Sequence, residues 1–137
     1  MNIKLFKGIL FLVSLIILSL NVFPATYTVS NANDSGGGSF RQAIIDANSN
    51  NGSDTIVFSI TGTIQPTSGL PTLDDTTGGT YINAGTSHNI ILDGTNAGNN
   101  SGLIITSGGN TISGLVINSF QQNGILGSRA RSGPEQG

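Results

Sequence analysis

Short apolar runs separated by turn-forming residues dominate the second half of the chain. The runs lie at Ile90–Leu92, Leu103–Ile105 and Leu115–Ile117, and the segments between them are rich in Asn and Gly. Apolar runs this short, with this β-branched content, favour strands. Asn and Gly tolerate left-handed backbone at sharp corners. The region from 89 to 125 is therefore predicted to form short strands that recur along the chain.

Two alternating segments flank a helix in the first half. Apolar and polar residues alternate in 26–30 and again in 54–60, which predicts strands with one buried side. Between them, Ser39 and Gln42 have the spacing of a helical capping box, and Asn50–Gly52 provides a stop. The apolar residues of this helix form one stripe at helical spacing: Phe40, Ala43, Ile44 and Ala47.

Residues 61–87 have a less regular pattern. Pro66 and Pro71 suit corners or a sheet edge rather than a central strand, because proline cannot donate a hydrogen bond to a neighbouring strand. The pattern assigns no individual strand in this interval.

The recurring runs resemble a known family. The sequence LDGTNAG, followed by GLIITSGGNTISGLVINSF and NGI, resembles the right-handed parallel β-helix (PbH1) repeats of bacterial secreted and surface proteins. The resemblance implies an all-β fold, a right-handed parallel β-helix of few coils with about 22 residues per coil. This fold hosts both lyases and adhesins, so it does not by itself define a function.

The helical segment carries a second resemblance. TYTVSNANDSGGGSFRQAIIDAN is similar to the Ser-Leu-Arg-(Glu or Gln)-Ala-Ile capping segment that precedes such repeats in large bacterial surface proteins. Phe40 replaces the usual Leu, and no Cys precedes Ser39. The resemblance implies an N-terminal capping strand and amphipathic helix. Such a helix would cover the unpaired N–H and C=O groups and the apolar core at the open end of the first coil.

The first 25 residues are typical of an export signal peptide. Lys4 and Lys7 precede an apolar core that ends near Leu20, and Ala25 is the small residue at the predicted cleavage point, although Phe23 stands where a small residue is preferred. The apolar core is shorter than the about 20 residues that span a bilayer. We expect a secreted or cell-surface protein without membrane insertion once the signal is removed; an uncleaved anchor is the alternative.

The charges exclude nucleic acid as a partner. Of the five Lys and Arg residues, two lie in the predicted signal, which leaves Arg41, Arg129 and Arg131 against seven acidic residues. Binding to nucleic acid needs clustered basic side chains. Because the chain has no Cys, neither a disulfide framework nor a lipid-modified cysteine is expected.

Asp74–Asp75 is the nearest approach to a catalytic motif. Glycosidases of β-helix fold use clustered aspartates as acid and base, but their sites also carry a Gly-His-Gly and a basic residue. His88 stands between Ser87 and Asn89 with no Lys or Arg beside it, and the Lys or Arg base of β-helix lyases is missing too. Asp74–Asp75 is therefore interpreted as an exposed turn, and His88 as a surface residue just before a strand.

Two further motifs in the capping segment are interpreted as structural. Gly36–Gly38 lacks the Gly-Lys-Ser/Thr of a phosphate-binding loop and suits a turn before the helix. Arg41 is expected to bind main-chain carbonyls of the first coil or to pair with Asp34 or Asp54.

The segment that begins at Asp93 invites comparison with a calcium loop. Counting from Asp93, the EF-hand position five is Ala97 and position twelve is Ile104, neither of which provides a side-chain oxygen. The segment Asp93–Asn96 is therefore predicted to be a tight turn. Three turn asparagines are expected to stack in ladders between coils: Asn110, Asn118 and Asn123.

These observations predict a signal peptide (1–25), an N-terminal cap (26–60), β-helix coils (61–126) and an irregular tail (127–137) that suggests a truncated or shifted reading frame. The predicted function is a non-catalytic structural or adhesive scaffold that binds carbohydrate or other surface ligands. No catalytic, cofactor-binding or metal-binding residue is assigned, and no cofactor is expected. The alternative is the N-terminal part of a polysaccharide lyase or glycoside hydrolase whose active site lies in other coils.

We expect the exported protein to begin near Thr26, because the apolar core that starts after Lys7 has the length of a cleaved signal. N-terminal sequencing of the secreted product measures this directly. Recovery of a chain that starts at Met1 in the membrane fraction would show an uncleaved anchor instead.

Overall fold

Nine short strands and one α-helix make up the part of the chain that the structure, a computed structural model, describes: residues 23–128. Most of the predicted signal (1–22) and of the predicted tail (129–137) lie outside this range. The helix α1 is Phe40–Ser49, between β1 and β2. The strands are β1 (Thr26–Val29), β2 (Asp54–Phe58), β3 (Gly62–Ile64), β4 (Thr80–Asn83), β5 (Ile90–Asp93), β6 (Leu103–Ile105), β7 (Thr111–Ser113), β8 (Leu115–Asn118) and β9 (Ile125–Gly127).

The strands form three sheets in which every pair is parallel. The first sheet has the order β1-β2-β4-β7, the second β3-β5-β8, and the third β6-β9. A single bridge between Leu73 and Ile105 extends the third sheet. Parallel neighbours need a long connection between them. The connection from β1 to β2 contains α1, and each later connection passes through the other sheets. The described chain is therefore mainly β, with parallel sheets and one helix.

Strands of one sheet pair so that equivalent side chains form rows across the sheet. In the first sheet Tyr27, Ile56, Ile82 and Ile112 are in register, and Ile56 and Ile82 are fully buried. In the second sheet Ile64 is in register with Leu92, which is in register with Ile117. Inward rows of this kind merge into one hydrophobic cluster. This pattern follows from the alternation of side chains along each strand.

The spacing between partner positions is not constant. Leu103 and Ile125, partners in the third sheet, are 22 positions apart, whereas Tyr81 and Thr111, partners in the first, are 30 apart. The longer spacings contain irregular corners, where the chain adds residues without shifting the register of the strands.

Helix α1 begins and ends largely as its sequence predicts. The Ser39 Oγ accepts a hydrogen bond from the Gln42 N–H at 3.2 Å, while the Gln42 side chain donates to Asp46 at 2.8 Å rather than back to Ser39. Only half of the predicted capping box is therefore present, because the carbonyl of Gly36 already accepts from the Ser39 N–H. The predicted stripe is buried: Phe40, Ala43, Ile44 and Ala47. No helix within residues 23–128 combines the length and hydropathy required to cross a membrane.

Two polar side chains attach α1 to the segment between β3 and β4. The Asn48 amide donates to the Thr72 carbonyl at 2.6 Å and accepts from the Asp74 N–H at 3.3 Å. One side chain thus supplies both bonds that a neighbouring strand would make to this segment. At the other end of α1, Arg41 donates to the carbonyls of Gly69 and Ser68. The helix covers main-chain groups that would otherwise lie at an open edge.

The strands predicted in 26–30, 54–60 and 89–125 are confirmed within one or two residues of each boundary. The sequence pattern missed β3 and β4, inside 61–87, and it also missed β7. These strands contain no run of three apolar residues and no sustained alternation, and only their pairing with neighbouring strands defines them. Pro66 and Pro71 lie outside the strands, as predicted. Strand β9 extends to Gly127, one residue into the predicted tail.

We expect Phe40→Asp to lower the free energy of unfolding by at least about 3 kcal/mol, because it buries an unpaired carboxylate. Phe40 has no exposed surface, and its ring centroid lies 5.4 Å from that of Phe58. Phe40→Leu is the matched control, with an expected loss of about 1 kcal/mol. Urea denaturation measures both. A Phe40→Asp protein that stays soluble with the stability of the original would show that α1 does not protect the core.

Candidate functional site

The outer face of the first sheet is a polar surface built from four strands. It consists of the side chains that alternate with the buried row of Ile56 and Ile82, and they form two further rows across the sheet. Neither row contains a charged residue. The first row is Thr26, Thr55, Tyr81 and Thr111, and the second is Thr28, Val57, Asn83 and Ser113.

Tyr81 is the aromatic residue on this outer face. It is 39% exposed and lies in register between Thr55 and Thr111. Neighbouring strands are about 4.8 Å apart, so two hydroxyl side chains lie beside the ring, one on each side. A tyrosine offers an apolar ring face together with a polar hydroxyl, and for this reason it is frequent in binding surfaces. The arrangement suits a neutral ligand that has both apolar C–H faces and hydroxyl groups.

Asp74 and Asp75 do not form a side-by-side pair of carboxylates. Asp74 is exposed, as predicted, but Asp75 is only 6% exposed. The Asp75 carboxylate accepts from the Thr77 N–H at 2.7 Å and from its hydroxyl at 2.6 Å, and that hydroxyl accepts from the Gly52 N–H at 2.8 Å. The prediction of an exposed turn is therefore wrong for Asp75, because Thr77 draws its carboxylate into a contact between repeats.

Arg41 has the structural role predicted for it. Its guanidinium lies 2.8 Å from the Asp34 carboxylate and also donates to the Asp34 carbonyl. Thr67 donates to the same carboxylate through its hydroxyl at 2.6 Å. Hydrogen bonds from Arg41 and then from Thr67 hold the pKa of Asp34 below its ordinary value of 3.8. This cluster joins Asp34, in the loop before α1, to Thr67, in the segment after β3.

The segment that begins at Asp93 is a tight turn, as predicted. One oxygen of Asp93 accepts from the Thr95 hydroxyl at 2.7 Å and from its N–H at 3.0 Å, and residues Gly94–Asn96 form a single 3-10 turn. The other oxygen accepts from the Gln65 amide at 3.0 Å. The Thr95 hydroxyl contributes most to lowering the pKa of Asp93 to about 2. Both carboxylate oxygens are therefore engaged within the protein.

His88 and the glycines before α1 also occupy the predicted settings. His88 is exposed, two residues before β5, with a positive φ of 51°. The carbonyl of Gly36 accepts from the Ser39 hydroxyl at 2.7 Å, and the carbonyl of Gly38 accepts from the Ser30 N–H at 2.9 Å. Gly36–Gly38 thus forms a turn that leads into the helix cap.

The predicted asparagine ladder is wrong, although Asn110 bridges two repeats. Its carbonyl oxygen accepts from the Thr80 N–H at 2.9 Å, and its amide donates to the Ser107 carbonyl at 2.9 Å. Asn118 instead pairs in register with Asp93, and Asn123 lies outside the strands. The number of residues between paired positions differs along the chain, so the three side chains do not fall in one row.

The buried carboxylate of Asp54 is a feature that the sequence pattern did not reveal. Asp54 is 1% exposed, and one oxygen accepts from the Ala25 N–H and from the Asn50 amide, each at 2.8 Å. Its other oxygen and the hydroxyl of Thr80, its register partner, are buried without a hydrogen-bond partner among the described residues. An acidic residue at the first position of a strand was the available signal.

A cleft of about 160 Å³ lies between β1 and α1. Pockets for organic ligands usually exceed about 300 Å³, so this cleft is smaller than a typical ligand pocket. Burial, followed by the charges of Asp54 and Asp46, raises the pKa of Tyr27 in its wall above 10.0. Within residues 23–128, no three His, Cys, Asp or Glu side chains are arranged to hold a metal ion. The cleft is lined by Thr26, Tyr27, Thr28, Gly38, Ser39, Gln42, Ala43 and Asp46.

Comparison with known proteins gives no match, whether with family models, curated proteins or solved structures. The functional interpretation therefore depends on the residues of this chain, and the outer face around Tyr81 is the site that they support best.

We expect the protein to lose stability as the pH falls below about 4, and Asp34 to contribute to this loss. A carboxylate whose pKa is lowered by folding stabilises the fold above its unfolded pKa of 3.8, and the contribution disappears as the pH falls through the folded pKa. Asp34→Asn should lower the stability at pH 7 by about 1 kcal/mol and reduce the decline below pH 4. Thermal melting from pH 7 to pH 2 measures both effects.

Asp74→Asn is the control for this prediction, because Asp74 is an exposed carboxylate. It should leave the pH profile of melting unchanged. Identical pH profiles for Asp34→Asn and the original protein would show that the pair with Arg41 contributes nothing to acid stability.

Proposed function

We propose that this protein is an exported, non-catalytic scaffold of right-handed parallel β-helix fold, either secreted or displayed at a cell surface, whose role is structural or adhesive. In support of the β-helix, the chain visits three parallel sheets in turn, with inward apolar rows in register. The resemblance of the repeats and of the capping segment to bacterial surface proteins supports export and display.

The ligand that we propose for the outer face of the first sheet is carbohydrate. The row in which Tyr81 lies between Thr55 and Thr111 is the observation that carries this proposal. The C–H face of a sugar can stack on the tyrosine ring, while its hydroxyls exchange hydrogen bonds with the threonines. Since neither row carries a charge, a neutral polysaccharide meets no unpaired charge that its binding would desolvate.

The carboxylates support a non-catalytic role. Acid–base hydrolysis of a glycosidic bond needs two carboxyl groups that face one substrate. Asp75 and Asp93 are instead bonded to the threonine two positions later, and Asp34 is paired with Arg41.

We expect Tyr81→Ala to weaken binding to an insoluble neutral polysaccharide at least tenfold, which corresponds to about 1.4 kcal/mol. Pull-down with microcrystalline cellulose, chitin and peptidoglycan measures the bound fraction. Tyr81→Phe should bind within about threefold of the original, because the ring face remains. Thr63→Ala, at an exposed position of the second sheet, should bind normally.

Binding that survives Tyr81→Ala, or failure to bind any of the three polysaccharides, would contradict the proposed site. The enzyme alternative is tested with the same preparations. Release of unsaturated or reducing ends from pectate or polygalacturonate, abolished by Asp74→Asn at its exposed carboxylate, would overturn the non-catalytic role.

A further inference from the structure

The row that contains Tyr81 carries one hydroxyl group on every strand of the first sheet. Its members are in direct register from β1 to β7: Thr26, Thr55, Tyr81 and Thr111. Neighbouring strands are about 4.8 Å apart, so the hydroxyl-bearing side chains recur at that distance across the sheet. Thr26, Tyr81 and Thr111 are exposed, and Thr55 is half-buried. The row is therefore an ordered line of neutral hydrogen-bonding groups with one aromatic ring within it.

The second outer row does not have this regularity. Val57 has no polar group in its side chain, and the side-chain oxygen of Asn83 already accepts from the Gly85 N–H at 3.0 Å. The members of this row on β2, β4 and β7 are also half-buried. Only the first row therefore offers a hydroxyl on every strand.

The row runs across the strands, which is also the longer dimension of the face. The strands of this sheet are three to five residues long and direct at most two side chains outward, which on β4 are Tyr81 and Asn83. Beyond Asn83 the chain enters the corner that leads to β5, where Ala84 packs against the hydrophobic cluster. A linear ligand that follows a strand thus meets two outward side chains, whereas one that follows the row meets four.

We propose that this row binds an extended, β-1,4-linked neutral glycan whose chain crosses the strands at right angles. The inference rests on the proposed carbohydrate site, to which it adds the linkage of the ligand and its direction on the sheet. The sugars of such a glycan form a flat ribbon, in which the length of one unit is close to the spacing between strands. One sugar stacks on the Tyr81 ring, and the sugars on either side lie over Thr55 and Thr111. Their hydroxyls exchange hydrogen bonds with the threonines directly or through a water molecule.

The same row disfavours a helical glycan. An α-1,4-linked glucan curls, so its consecutive rings turn away from a flat surface, and a sugar stacked on Tyr81 has no neighbours over Thr55 and Thr111. Each net hydrogen bond changes an affinity by only about threefold to tenfold. The preference for the β-1,4 linkage therefore depends on both threonines. The linkage itself is shared by polymers of glucose and of N-acetylglucosamine.

Hexasaccharides test the linkage. Cellohexaose and maltohexaose are both glucose oligomers and differ only in their β-1,4 or α-1,4 linkage, and chitohexaose is the β-1,4-linked oligomer of N-acetylglucosamine. We expect the preferred β-1,4-linked hexasaccharide to bind at least about tenfold more tightly than maltohexaose in isothermal titration calorimetry. The tighter of cellohexaose and chitohexaose identifies which of the two polymer classes the site recognises.

Two isosteric substitutions test the direction of the glycan on the sheet. Thr55→Val and Thr111→Val each remove one hydroxyl beside Tyr81 and keep the β-branched shape that suits a strand. Each should weaken binding of the preferred β-1,4-linked hexasaccharide about threefold to tenfold and leave maltohexaose binding unchanged. Thr63→Val, the same change at an exposed position of the second sheet, is the matched control and should alter neither. Thermal melting checks that each variant is folded.

The outcomes separate this inference from the proposed site. Equal affinity for the three hexasaccharides, lost in Tyr81→Ala, would overturn the linkage and leave the carbohydrate site intact. Variants at Thr55 and Thr111 that bind as the original protein does would overturn the direction along the row. Binding to an insoluble polysaccharide but to no hexasaccharide would also overturn the inference, because the row is proposed to bind a single chain. Failure to bind any carbohydrate would remove the proposed site, and this inference with it.

Discussion

Parallel pairing between strands that are distant in the sequence is the constraint on which the rest of this structure depends. A strand of three or four residues cannot bury its apolar side chains or satisfy its main-chain groups alone. Each strand here gains both from the strands with which it pairs, as the strand of Ile56 does from the strand of Ile82. The stability of any one repeat therefore depends on its neighbours, and each end of the stack needs a different solution.

The N-terminal end is closed by a helix whose polar side chains replace a strand. The Asn48 amide donates to the chain at Thr72 and accepts from it at Asp74, in the manner of a peptide group in a parallel neighbour. The stripe that contains Phe40 and Ile44 covers the apolar core at the same time. One amphipathic element thus satisfies the hydrogen-bonding groups and excludes water from the core, which explains why a helix interrupts an otherwise mainly β chain.

Between paired segments of the chain, hydrogen bonds from uncharged donors take the place that ion pairs often have elsewhere. The Gln65 amide donates to the Asp93 carboxylate. The Thr77 hydroxyl donates to the Asp75 carboxylate and accepts from the Gly52 N–H. The Asn110 side-chain oxygen accepts from the Thr80 N–H. Each of these contacts joins positions that are distant in the sequence but adjacent in the stack. Acidic side chains are therefore engaged in holding corners together, and the outer face around Tyr81 is left uncharged. The absence of charge on this face is the basis for proposing a neutral, hydroxyl-rich ligand.

The sequence by itself determined the local elements that have a strong periodic signal. Helix α1, with its buried stripe, follows from the spacing of Phe40, Ala43, Ile44 and Ala47, and β5, β6 and β8 follow from isolated apolar runs. The turn at Asp93 was predictable because it depends on Thr95, two positions later. The structural role of Arg41 was predictable because it is the one Lys or Arg residue between positions 26 and 128.

Tertiary structure alone decided the remaining features. Strands β3, β4 and β7 contain no run of three apolar residues and no sustained alternation, so their pairing with neighbouring strands defines them. The burial of Asp54 and Asp75, and the failure of the asparagines to align in one row, depend on how many residues each corner contains. The alignment of Tyr81 with Thr55 and Thr111 likewise depends on register between repeats of unequal length. A sequence specifies which residues can alternate, but only the folded stack determines which of them become neighbours.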